Sequence, residues 1–128
     1  MGRFSLPKAK ADPRNEWAAE VRQLLPDWLE NSCPPEARGV TAGNGAIDII
    51  VGAHKVASFL PTSTGLSVYL IGSTDTEVKR IERLCERAGV PEDVRPPRTS
   101  KYVLIKVKSQ ETLPSVAEAL RLHCLGKR

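Results

Sequence analysis

Residues 46–71 read AIDIIV, GAH, KVASFLP, TSTG and LSVYLI in succession, and this stretch decides the fold. Three β-rich runs, Ala46–Val51, Lys55–Pro61 and Leu66–Ile71, alternate with the short connections Gly52–His54 and Thr62–Gly65. Connections this short join antiparallel neighbours, because a parallel crossover needs roughly a dozen residues. The centre of the chain is therefore expected to be a β-meander. Upstream, a weaker run at Glu36–Thr41 precedes the turn signal Gly43-Asn44-Gly45 and adds a candidate first strand. Downstream, Lys101–Val107 is a further clear strand.

Helical signals flank the meander. Asp12-Pro13 offers an N-cap acceptor and a proline at the first helical position, and Trp17, Val21, Leu24 and Trp28 follow on one helical face. Pro26 lies inside that stripe and is expected to end the helix near Leu25 or kink it. Thr74-Asp75-Thr76-Glu77 is a capping box that opens a helix with Val78, Ile81, Leu84, Cys85 and Ala88 on one stripe, closed by Gly89. Thr112–Cys124 reads as a last amphipathic helix, with Pro114 in its first turn and Gly126 at its end. The order α-β-β-β(-β)-α-β-α, with strands in hairpins, spells an α+β two-layer sandwich. An antiparallel sheet of four to five strands would carry its helices on one face.

The 128 residues suit one domain, expected over 12–128, preceded by a flexible basic arm at 1–11 with Arg3, Lys8 and Lys10. Apolar runs stay far below the roughly 20 residues that cross a bilayer, and the N-terminus lacks a secretory pattern. Cys33, Cys85 and Cys124 are odd in number and far apart, which reads as free thiols in a reducing compartment, hence the cytoplasm. A net charge of +4 permits a polyanionic partner without requiring one.

Alternation splits each strand into two faces. One set, Ile47, Ile49, Val51, Val56, Leu60, Leu66, Val68, Leu70, Val103, Ile105 and Val107, is aliphatic and forms the expected core side. The complementary set includes Asp48, Ile50, Lys55, Ala57, Phe59, Ser67, Tyr69, Ile71, Tyr102, Leu104 and Lys106. That face is left to solvent, a ligand or a partner; Phe59, Tyr69 and Tyr102 there either mark an interaction site or pack as cross-strand pairs or beneath the N-terminal arm. The division holds only where alternation is regular, since a single bulge inverts everything beyond it.

No catalytic, metal or cofactor site emerges. Asp48 has no second carboxylate on the next strand, and a surface pair with Lys55 or Lys106 accounts for it. His54 and His123 have no ligand-type neighbours at metal spacing, and a place in a last helical turn explains His123. In the second helix Lys79, Arg80, Arg83 and Arg87 alternate with Glu77, Glu82 and Glu86, which reads as a salt-bridged solvated face. Arg95, Arg98 and Lys101 have no acid between them and lead into Tyr102.

Val56-Ala57-Ser58-Phe59-Leu60-Pro61 followed by Leu66-Ser67-Val68-Tyr69-Leu70, then Lys101-Tyr102-Val103-Leu104-Ile105-Lys106 and Leu113-Pro114, resembles the YdhG-like family of small bacterial domains. The resemblance spans about residues 54–122 and implies a frataxin-like sandwich with an open sheet face. It implies no established activity and no catalytic residues. The sequence departs from the family pattern at Thr99-Ser100, where a Gly-Lys pair is expected, and lacks its Trp-Gly segment before the meander. The first helix, with Asp12, Glu16 and Glu20, has no acidic ridge for iron.

Two functional readings follow. A non-enzymatic binding domain would use Phe59, Tyr69, Tyr102 and Leu104 for a protein partner, a second copy or an apolar ligand. A single-stranded nucleic-acid binder would add Arg95, Arg98, Lys101 and Lys106 as phosphate contacts around stacking tyrosines. An enzyme is the third, disfavoured by the inventory above.

Overall fold

The computed structural model describes Phe4 and residues 16–126. Its elements run α1 (Glu16–Ser32), β1 (Ala37–Thr41), β2 (Ile47–Val51), β3 (His54–Thr62), β4 (Gly65–Ile71), α2 (Asp75–Ala88), β5 (Tyr102–Val107) and α3 (Leu113–Leu125), with short 3-10 turns at Glu92–Val94 and Gln110–Thr112. The five strands form one sheet in chain order, every neighbouring pair antiparallel. This is the α+β two-layer arrangement the sequence predicts, with Ala37–Thr41 as a true fifth strand. No helix among the described residues is long and apolar enough to cross a membrane.

The local devices act as their chemistry requires. Thr74 Oγ1 accepts the Glu77 amide at 3.1 Å and so caps α2, and Gly89, at φ 84°, ends that helix in the left-handed region. Gly65 is held by close approach: a Cβ there would lie 2.3 Å from the Val107 carbonyl oxygen and 3.2 Å from Trp17 Nε1. Any side chain would push β4 away from β5 or α1.

The core lies between the sheet and the helices. Strand residues Ile47, Ile49, Val51, Val56, Val68, Leu70, Val103, Ile105 and Val107 join Leu25 and Leu29 of α1, Ile81 and Cys85 of α2, and Val116, Leu120 and Cys124 of α3 in one buried cluster. Phe4 is buried in the same cluster; the remainder of the expected 1–11 arm, and the Asp12-Pro13 helix start, lie outside the described residues.

Three expectations are corrected in whole or in part. Of the two outcomes expected at Pro26, an end near Leu25 is not what is found: α1 carries the proline inside it and continues to Ser32. An interior proline costs about 3 kcal/mol, and fully burying Leu29 beyond it returns a comparable amount. The buried stripe of α1 is Ala18, Val21, Leu25 and Leu29, one position round from the predicted Trp17, Val21, Leu24 and Trp28. The third concerns β3. Ile49 pairs with Ala57 but Ile50 pairs with Lys55, so Val56 is an extra residue, a β-bulge. Beyond it the phase inverts: Phe59 is fully buried and meets Trp28 with ring centroids 5.8 Å apart, whereas Leu60 turns to the opposite face.

His123 stands in the last turn of α3, as the sequence predicts, but the helix dipole is not all that accounts for it. It is completely buried, and its Nε2–H donates to the Ile71 carbonyl at 2.8 Å. The ring ties the last turn of α3 to the end of β4, a structural bond that the sequence did not announce.

Candidate functional site

The side of the sheet away from the helices is built from cross-strand rows. Val40, Asp48, Ser58, Tyr69 and Leu104 lie opposite one another in sequence across all five strands. Leu60, Ser67 and Lys106 form a second row, and Ile71 with Tyr102 and Arg38 with Ile50 extend the face. Ile50, Leu60, Tyr69, Ile71, Tyr102 and Leu104 are each half-buried, and none belongs to the core cluster or packs against it among the described residues. They combine apolar area with partial access to water, the mixture found where a surface meets another molecule.

The polar groups of this face are internally satisfied at one end. Asp48 Oδ1 accepts from the Ser58 hydroxyl at 2.8 Å, and Oδ2 lies 3.3 Å from Lys55 Nζ. The expected Asp48–Lys55 pair is therefore formed, and Ser58 donates to a carboxylate instead of facing a base that could activate it. Tyr69 and Tyr102 pack edge to face, centroids 5.2 Å apart and planes at 73°. Each ring thereby shields part of the other, which leaves less flat surface for a base to stack on.

The residues singled out in the sequence part company here. Tyr69, Tyr102, Leu104 and Lys106 do share the open face. Phe59 does not, for the reason of the bulge. Arg98 is committed elsewhere: its Nη1 donates to Asp75 Oδ1 at 2.7 Å and to the Thr99 carbonyl at 3.1 Å, and its Nε lies 3.7 Å from Glu82. It pins the proline-rich loop to α2, and its hydrogen bond to Asp75 holds that carboxyl below its ordinary value. Arg95 is half-buried, with Nε enclosed and unpartnered, near enough to Cys85 for its charge to act on the thiol. Burial outweighs that charge and raises Cys85 to about 11, so the thiol is inert at neutral pH. Of the loop cations, Lys101 alone is exposed beside the strand that carries Tyr102.

Sequence reasoning missed a groove of about 210 Å3 along α1, lined by Trp17, Leu24, Trp28, Leu66, Gln110 and Leu113 among others. Leu24, 52% exposed, forms its outer lip. The signal was present: α1 carries two overlapping apolar stripes, more than one packed face can bury. No group of three or more metal-ligating side chains converges among the described residues. No family model, curated protein or solved structure matches the chain, so the YdhG-like resemblance rests on the motifs quoted for it.

Proposed function

We propose that this chain is a non-enzymatic binding domain whose open sheet face receives a protein partner with an apolar centre and an acidic rim. The observation that carries this reading is the row structure of that face: six half-exposed apolar and aromatic side chains with no helix of the described residues packed over them. A small ligand is less suited, because such sites are concave and this surface is a broad sheet. Charge selects between a second copy and a different partner. The strands place Arg38, Lys55 and Lys106 on this side against the single carboxylate of Asp48. Two copies meeting face to face would oppose like charges, whereas an acid-rimmed partner would complement them. The nucleic-acid reading of the face loses Arg98 to Asp75 and Glu82 and gains no flat stacking platform from the tyrosine pair.

The test pairs sedimentation with capture. The pure chain is expected to sediment as a monomer; a dimer dissolved by Leu104→Glu would make the occupant a second copy and overturn the partner reading. A partner captured by the wild type and then purified should lose at least about tenfold in affinity with Leu104→Glu or Tyr69→Ala, both folded by circular dichroism. Equal binding by the variants would remove the face from any role.

A further inference from the structure

The charges of α2 do not mix as their alternation in sequence suggests. Asp75, Lys79, Glu82 and Glu86 recur at helical spacing along one stripe, where Lys79 Nζ lies 3.6 Å from Asp75 and Arg98 reaches both Asp75 and Glu82. Thr76, Arg80, Arg83 and Arg87 recur along another. The three arginines are exposed, and none forms an ion pair within 4.0 Å among the described residues. On the neighbouring stripe, Asp75 is engaged by Lys79 and Arg98, and Glu82 by Arg98.

The N-terminal end of the arginine stripe opens into a cleft of about 400 Å3 lined by Thr74, Thr76, Glu77, Arg80, Arg83 and Gly126. The Arg80 guanidinium lies over Gly126, occupying the space a Cβ would need, so a glycine at the end of α3 sets the arginine's place. Three carboxylates border the stripe. Glu86 stands three positions after Arg83, Glu77 lines the cleft, and Glu118, near Arg87, is held by Arg121 at both oxygens. The two residues that follow Gly126 in the sequence are Lys127 and Arg128.

We propose that the Arg80–Arg83–Arg87 stripe and its cleft form a docking surface for the phosphate backbone of single-stranded nucleic acid. Guanidinium groups match phosphate oxygens in a two-point fork, a geometry that a lone ammonium does not reproduce. Three of them spread over about 10 Å of helix, by a rise of roughly 1.5 Å per residue, suit a repeating anion better than one isolated phosphate. The threonine side chains at the cleft end add hydroxyl groups beside the first arginine. This surface belongs to the helical layer, on the other side of the sheet from the partner face, and the two stand or fall separately.

Fluorescence anisotropy of a labelled single-stranded RNA of about twenty nucleotides tests the assignment on the full chain. Binding should weaken about 20-fold between roughly 50 and 200 mM salt, as expected for about three neutralised phosphates on a single strand. The triple variant Arg80→Gln, Arg83→Gln, Arg87→Gln should bind at least about tenfold more weakly at the lower salt, while Lys101→Gln with Lys106→Gln and, separately, Leu104→Glu stay within about twofold. Unaltered binding by the triple variant, or none by the wild type at the lower salt, overturns the proposal. So does a loss confined to the Lys101 and Lys106 variant, which would return the polyanion to the sheet face. Equal or tighter binding to vesicles of phosphatidylcholine with about one-third phosphatidylserine, or to a polyglutamate peptide, would also overturn it in favour of a general anion surface. Because Leu104→Glu separates the two surfaces, failure here leaves the sheet-face reading untouched.

Discussion

Two rows of side chains cross the same strands one residue apart and face opposite ways. Ile47, Phe59, Val68 and Ile105 point under the helices and are buried to 1% exposure or less. Asp48, Ser58, Tyr69 and Leu104 point the other way and stay half-exposed. The backbone and its hydrogen bonds are common to both, so their energetic difference comes from what lies above them. The sheltered row holds the fold together; the open row is close to neutral for stability and so is available for contact.

Truncation should expose that asymmetry first. Phe59→Ala is expected to lower unfolding free energy by about 3–5 kcal/mol in urea titration, since it empties a packed site against Trp28. A loss below about 1 kcal/mol would mean that Phe59 is not in the core and that the bulge is misplaced. His123→Ala tests the same side where a polar group is enclosed. Losing the Nε2 bond leaves the Ile71 carbonyl without that donor and should cost about 2–3 kcal/mol by the same method, against near-neutrality if the ring is solvated.

Alkaline titration probes the sheltered layer without a mutation. Cys85 is raised from 9.0 to about 11 by burial, so between those values the unfolded thiol ionises while the folded one keeps its proton. Stability should therefore fall as pH rises through that window, by on the order of 2 kcal/mol. Cys85→Ala should flatten this part of the profile, and an unchanged slope would assign it to other groups. On the open face the effects should be smallest. Tyr69→Ala is expected to cost about 1 kcal/mol, chiefly the edge-to-face contact with Tyr102, and Ser58→Ala about 1 kcal/mol or less. A cost near that of Phe59→Ala would show the open row to be covered in solution.

The features legible in the sequence were those set by local chemistry. The Thr74 cap, the Gly89 stop and the short connections of the meander each have a residue-level cause within a few positions. What escaped was decided by distant parts of the chain. Nothing in Lys55-Val56-Ala57-Ser58-Phe59 marks the bulge, as it contains neither Gly nor Pro; its effect shows only in the tertiary packing, where Phe59 meets Trp28. The α1 stripe was ambiguous because two periodic sets overlap, and small Ala18 is the residue buried while Leu24 stays out. Arg98 looked unopposed until a hydrogen bond spanning 23 positions joined it to Asp75. The separation of α2 into an acid-containing and an arginine stripe is different in kind: positions 75, 79, 82 and 86 and positions 76, 80, 83 and 87 each share a face by helical spacing alone, and Arg98 only adds a cation to the first.

Strand order that follows chain order has a kinetic consequence. Four strands from Ala37 to Ile71 can pair by successive hairpins, each closing a loop of only a few residues, so little entropy is lost before contacts form. β5 is the exception, since residues 72–101 must be organised before Tyr102–Val107 can dock on β4. Native-state amide exchange should then find the β4–β5 ladder opening together with α2 and α3, as one cooperative unit distinct from the early hairpins.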